Sequence, residues 1–240
     1  MTDWRAALAR RWRAHNDHHA RLQVLVLGDS HVRVFEHWWF LWALPRVRWH
    51  IVYVPGGTAT GLPNPQSSTR ARTRFDEALA TTPNDLVLIN LGEVDTGYTI
   101  WARAGRSGVD PRTAMAQAVQ RYAAFIADVA RQHRVVVVSA PLPTLPDDFV
   151  PGDDVGTTRK RVDQSQLDRT ELTLAFNDAV AQAFAVRGVP HLVDRAHSLG
   201  GDGRVNAAWQ RGDRADHHYA RKTYAQWLAR ALLPHLSKPR

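Results

Sequence analysis

At 240 residues the chain has room for one large α/β domain with a well-buried core. The absence of cysteine excludes disulfides and thiolate metal sites. Net charge is +8, but every basic residue except Lys160, Lys222 and Lys238 is an arginine, and these are scattered among acids, which argues against a nucleic-acid partner. No apolar stretch reaches membrane-span length, and arginines interrupt the amino terminus where a signal peptide needs an apolar core. A cytoplasmic protein with no membrane partner is expected.

Residues 3–20 read as a helix, with Trp4, Leu8, Trp12, His15 and His19 on one stripe. His15 and His19 have a usable ligand spacing, but no third ligand accompanies them, so they are read as solvated and no metal is expected. Leu22 to Leu27 is a short apolar run that stops at Gly28, the pattern of a buried strand ending in a tight turn. A Trp-rich helix follows over Val32 to Leu44 and is stopped by Pro45. Val47 to Val54 is the second strand, closed by Pro55-Gly56-Gly57, and a helix spans Ser68 to Thr81. Leu86 to Leu91 is the third strand. Asp110-Pro111 caps a helix that reaches His133. Val135 to Val138 is the fourth strand, and polar Asp147 to Gln164 reads as a lid or insertion loop. Helix over Ser165 to Val186, strand over His191 to Val193 and helix over Ala220 to Leu236 complete the chain.

This organisation divides into an N-terminal helix over 1–20 and a single α/β domain over 21–240. Strands that alternate with helices predict a parallel sheet covered on both faces. The crossover rule then gathers Ser30, Gly56-Gly57, Glu93 with Asp95, and Pro141 to Pro143 at one sheet edge. Ligands bind at that edge in open α/β sheets. Within Gly28-Asp29-Ser30-His31, the serine is either a helix cap or a nucleophile assisted by backbone N–H groups. A nucleophile needs a base, and Gly212-Asp-Arg-Ala-Asp-His-His-Tyr219 supplies His217 and His218 with acids at Asp213 and Asp216. Thr96 to Arg103 follows the third strand and offers Tyr98, Trp101 and Arg103 as pocket-lining residues.

Gly28-Asp29-Ser30-His31 resembles the first block of the SGNH (GDSL-type) esterases, and Asp213 to Tyr219 resembles their last. Phe176-Asn177 through Asp194 is similar to the helix and strand before that last block, so the likeness spans about residues 21–235. Gly92-Glu-Val-Asp95, together with the Gly-Asp-Ser-His block, resembles a variant branch of that family. The resemblance implies a three-layer α/β/α sandwich with a flavodoxin-like, parallel, five-stranded sheet. It implies Ser30 as nucleophile and His218 as base, with His217 as the alternative. The family places its acid three residues before the base, where this chain has Ala215, so the acid falls to Asp216, with Asp213 second. Oxyanion donors would be the N–H groups of Ser30 and Gly57, or Gly56 in place of the latter. The family's third donor, an asparagine, is replaced by Val94. His31, Arg33, Glu93, Asp95 and Trp101 are the candidate substrate contacts. The activity implied is hydrolysis of a small-molecule or carbohydrate ester through an acyl-enzyme, without metal or organic cofactor. The alternatives are an O-acyltransferase using the same site, or a non-catalytic ligand-binding protein.

Overall fold

A computed structural model describes residues 21–152 and 154–237, and the helix expected over 3–20 lies outside them. Five parallel strands stand in the order β2–β1–β3–β4–β5. They are β1 (Leu22–Gly28), β2 (Val47–Tyr53), β3 (Leu86–Asn90), β4 (Val135–Val138) and β5 (His191–Leu192). This is the flavodoxin-like order, whose crevice opens between β1 and β3 where the winding reverses. β1 lies in the interior of the sheet and feeds both faces. Leu25 and Leu27 enter one core while Val24 and Val26 enter the other, which explains an apolar run without alternation.

The helices are α1 (Trp38–Ala43), α2 (Ala71–Thr81), α3 (Ile100–Ser107), α4 (Pro111–Ala130), α5 (Asp154–Arg159), α6 (Gln166–Ala185), α7 (Arg195–Ser198) and α8 (Arg221–Leu232). Phe75 of α2, Tyr122 and Phe125 of α4, and Phe176 and Phe184 of α6 fill the first core. Phe40 of α1 and Leu228 and Leu232 of α8 fill the second, so the architecture is a three-layer α/β/α sandwich. The starts of the long helices are chemical. The Asp110 carboxylate accepts the Thr113 N–H at 2.9 Å with Pro111 behind it. Ser165 and Asp168 form a reciprocal capping box at α6. Among the described residues, no helix is long and apolar enough to cross a membrane.

Three expectations change. The single helix over 32–44 is instead a 3-10 turn, Ser30–Glu36, followed by α1. His37 separates them because its backbone is extended and its ring accepts the Trp39 N–H at 3.2 Å, capping a new helix. Residues 96–103, expected to line the pocket, do not reach the cavity beside Ser30; a π turn over Asp95–Thr99 runs directly into α3. The polar segment 147–164 contains α5 and is tied to the sheet edge rather than hanging as a free lid.

Gly28 sets where β1 can end. A Cβ there would sit 2.3 Å from the Asn90 carbonyl oxygen and 2.4 Å from a Val32 methyl. Only glycine lets the chain turn this close to β3, and the turn delivers Asp29, Ser30 and His31 to the crevice.

The ring nitrogens of His191 on β5 are both buried without a partner among the described residues, and the ring packs edge-on against Phe184. Burial lowers its pKa from 6.5 to about 4. The unfolded chain therefore takes up this proton as pH falls through 6.5, while the folded chain resists until about 4. Stability should decline over that window. His191→Phe should flatten the decline, as read from thermal unfolding at pH 7 and pH 4.5; an unchanged slope would show that His191 is not its source.

Candidate active site

The crevice brings the two ends of the chain together. The His218 Nε2 stands 2.9 Å from Ser30 Oγ, and its Nδ1 stands 2.8 Å from Asp216 Oδ1. The carboxylate fixes the tautomer: Nδ1 donates to Asp216, which leaves Nε2 as acceptor for the serine hydroxyl. Asp216 Oδ1 also accepts the His218 N–H at 2.9 Å, and the other oxygen pairs with Arg211. Asp216 thus reaches its histidine by folding back over one intervening residue. Asp213 makes no such contact; it accepts the Ala215 N–H in an exposed turn.

The same fold-back occurs at the start of the chain. Asp29 Oδ1 accepts the His31 N–H at 2.9 Å and lies 3.0 Å from His31 Nδ1. His31 Nε2 faces the His217 carbonyl at 3.3 Å. Both ring nitrogens therefore face acceptors, an arrangement that only the doubly protonated imidazolium satisfies. Burial opposes that charge, but Asp29 and then Glu93 outweigh it and raise the His31 pKa above 6.5, against a smaller opposing push from Arg159. His31 thereby clamps the base loop to the end of β1.

Glu93 and Asp95 do not face the space beside Ser30. Glu93 forms a bidentate buried pair with Arg159 of α5, at 2.6 and 2.7 Å. Burial works against the Glu93 charge, yet Arg159 and His31 hold its carboxyl far below the ordinary range. Asp95 accepts the N–H groups of Ala59 and Thr60, at 2.7 and 2.9 Å, and the Thr60 hydroxyl at 2.6 Å. It fastens the loop after β2. Trp101 is likewise elsewhere: its indole N–H donates to the Thr96 carbonyl at 2.7 Å, and it lines a separate cleft with Tyr98 and Arg161. Arg33 does line the cavity beside Ser30, together with His31 and His218. It is bonded to Glu36 rather than oriented by Glu93 or Asp95.

The expected oxyanion donors are unequal. The Ser30 N–H opens the 3-10 turn, where the first N–H groups have no acceptor within the turn. The Gly57 N–H instead donates to the Val54 carbonyl at 2.9 Å, closing its own turn, so its role as a second donor needs correction. Asn90 is no substitute, because its amide donates to the carbonyls of Val138 and Ser139 on the far side of β3. Val94, partly exposed at the asparagine position, carries no donor side chain.

His218 is well placed to stay a free base. Its pKa is lowered, first by burial and then by the neighbouring His31 and His217, with Asp216 pulling the other way. Arg159, Arg211 and Arg221 are site residues that sequence reading does not find. Their only signal is basic charge, which does not distinguish a pocket arginine from a solvated one.

No protein-family model and no curated protein sequence matches the chain. Solved structures do match. A GDSL-like lipase from Bacteroides thetaiotaomicron aligns at 14% identity and TM-score 0.53, covering 92% of this chain and 94% of its own. An acetylxylan esterase from Geobacillus stearothermophilus, in a serine-to-alanine catalytic mutant, aligns at 13% identity and TM-score 0.55, covering 92% and 96%. A protein assigned as an acylhydrolase, from Bacteroides fragilis, aligns at 12% identity and TM-score 0.59, covering 95% and 94%. The fold is that of the SGNH hydrolases. At these identities the likeness speaks for the fold alone.

Arg159→Met leaves Glu93 buried without its partner, which should cost about 3–5 kcal/mol at pH 8. The loss should shrink near pH 5, where the carboxyl can take up a proton. Urea unfolding of this variant and of the double variant Glu93→Gln/Arg159→Met measures both effects, with the double variant expected to recover most of the loss. Equal losses at both pH values would contradict the ionised pair.

Proposed function

We propose that the protein is a serine-dependent esterase that cleaves a small-molecule or carbohydrate ester through an acyl-enzyme on Ser30. The observation that carries this reading is the continuous chain from Ser30 Oγ through His218 to Asp216, with spacings of 2.9 and 2.8 Å. Attack of Oγ on the ester carbonyl transfers the hydroxyl proton to His218 Nε2. Asp216 stabilises the imidazolium that forms, and the Ser30 N–H supports the negative oxygen of the tetrahedral intermediate. Collapse breaks the bond to the alcohol, whose oxygen takes the proton from Nε2. Water then repeats the sequence on the acyl-enzyme and releases the acid. An O-acyltransferase would replace that water by an acceptor hydroxyl at the same step. The scheme calls on no metal or organic cofactor.

A second reading has its own support. Val94 in place of an amide donor, and the Gly57 N–H engaged with Val54, leave thin oxyanion support. That favours a slow enzyme or a ligand-binding relative. A fluorophosphonate probe separates the readings: labelling that Ser30→Ala abolishes supports the activated serine, and an unlabelled wild type would sink it. Asp216→Asn should lower kcat by about 10²–10⁴-fold while Asp213→Asn leaves it near wild type. Losses in the reverse order would reassign the acid.

The pH profile gives an independent check. The base must be unprotonated, and the His218 pKa is lowered from 6.5, so the acid limb of kcat/KM should lie below pH 6.5. Activity already halved at pH 7 would place the controlling group elsewhere.

A further inference from the structure

The cavity beside Ser30 holds about 130 Å³ and is lined by arginines from three separate parts of the fold, one of which, Arg33, rests its guanidinium over the Tyr53 ring at 5.2 Å. Arg33 comes from the 3-10 turn after β1, Arg211 from the base loop, and Arg221 from the first turn of α8. Their positions are set by local bonds. Arg221 donates to the Arg33 carbonyl at 2.9 Å, and Arg211 donates to the Tyr219 carbonyl at 3.1 Å. The facing carboxylates are few. Glu36 is shared by Arg33 and Arg221, at 3.4 and 3.6 Å. Asp216 pairs with Arg211 but also serves His218. Positive charge is left in excess, and guanidinium forks match the planar geometry of carboxylate and phosphate oxygens. The side chains of Arg33 and Arg221 are about half exposed, at 52% and 44%, and so remain open to a ligand from solvent.

The cavity also has a direction. His218 Nε2 must hand its proton to the leaving oxygen, so the alcohol part of an ester extends past His218. His218 and the three arginines line the cavity, whereas Gly57 and Val94 do not. On the esterase reading above, we propose that the alcohol part of the substrate carries an anionic group, a phosphate or a carboxylate, seated among Arg33, Arg211 and Arg221. A cavity of 130 Å³ has room for one such group, with the rest of the alcohol outside it, since about 150 Å³ holds a single benzene ring.

The test needs one kinetic and one binding arm. Acetyl esters of glucose 6-phosphate, of glucuronate and of methyl glucoside share a sugar and differ in charge. The anionic esters should show kcat/KM at least tenfold above the neutral one, and the advantage should shrink as salt is raised. Arg33→Gln and Arg221→Gln should each reduce the ratio of anionic to neutral kcat/KM several-fold; Arg211 is left intact because it holds Asp216. The two anionic esters separate phosphate from carboxylate preference. A monosuccinyl ester of methyl glucoside that outperforms all three would place the anion on the acyl side and overturn the assignment. So would equal kcat/KM for charged and neutral esters. Calorimetric titration of glucose 6-phosphate and glucuronate into Ser30→Ala needs no turnover. Binding that the arginine variants weaken supports the site even if the esterase reading fails. Absence of binding by either anion overturns it even if Ser30 reacts with the probe.

Discussion

Four residues from three segments of this chain meet in one buried run of charge: Asp29, His31, Glu93 and Arg159. Asp29 and His31 follow β1, Glu93 follows β3, and Arg159 arrives from the segment between β4 and α6. The run is nearly closed to water, so each charge is tolerable only while its partners stay in place. That requirement makes it a register device. It holds the polar insertion against the sheet edge and, through the His217 carbonyl, holds the base loop against β1.

The Ser30–His218 geometry depends on that run at a distance of one residue. Ser30 lies between Asp29 and His31, and His218 follows His217, so the inner pair positions the outer pair. Further bonds stiffen the same loop. The Leu142 N–H donates to the Tyr219 hydroxyl at 2.6 Å, and the Thr144 hydroxyl donates to the Asp216 carbonyl at 3.1 Å. The Pro-rich turn after β4 thus serves as a wall for the base loop. The imidazolium of His31, 4.7 Å from the His218 ring between centroids, also discourages a second positive charge there. The buried His31 pair and the His218 pair beside Ser30 are coupled by charge as well as by packing.

Legibility in the sequence follows the range of the forces involved. Strand positions, the cap at Asp110, and the gathering of Ser30 with the other strand ends at one sheet edge are readable because hydrophobic period, capping chemistry and crossover handedness are local or general rules. The 3-10 turn and the break at His37 are not readable from helical spacing, because the cap is a ring nitrogen rather than a hydroxyl or carboxylate. Glu93 and Asp95 look like substrate contacts in sequence, since acids at a strand's carboxyl end usually face the ligand. They turn inward here because each finds a partner far along the chain, Arg159 for one and Ala59 with Thr60 for the other. Trp101 turns away from Ser30 to a separate cleft, where its indole N–H finds the Thr96 carbonyl.

The sequence alone determines the layer architecture and the pairing of a serine turn with a histidine loop, because both are written in residue type and order. Two Asp-x-His stretches, 29–31 and 216–218, are equally visible there and locally alike. Tertiary structure decides which of them does what. His31 is enclosed by Glu93 and the His217 carbonyl and is held as a buried cation, whereas His218 turns a lone pair to the Ser30 hydroxyl. The same decision assigns arginines scattered through the sequence to one buried pair and one cationic cavity. Charge in a sequence has no address until folding sets its neighbours and its distance from water.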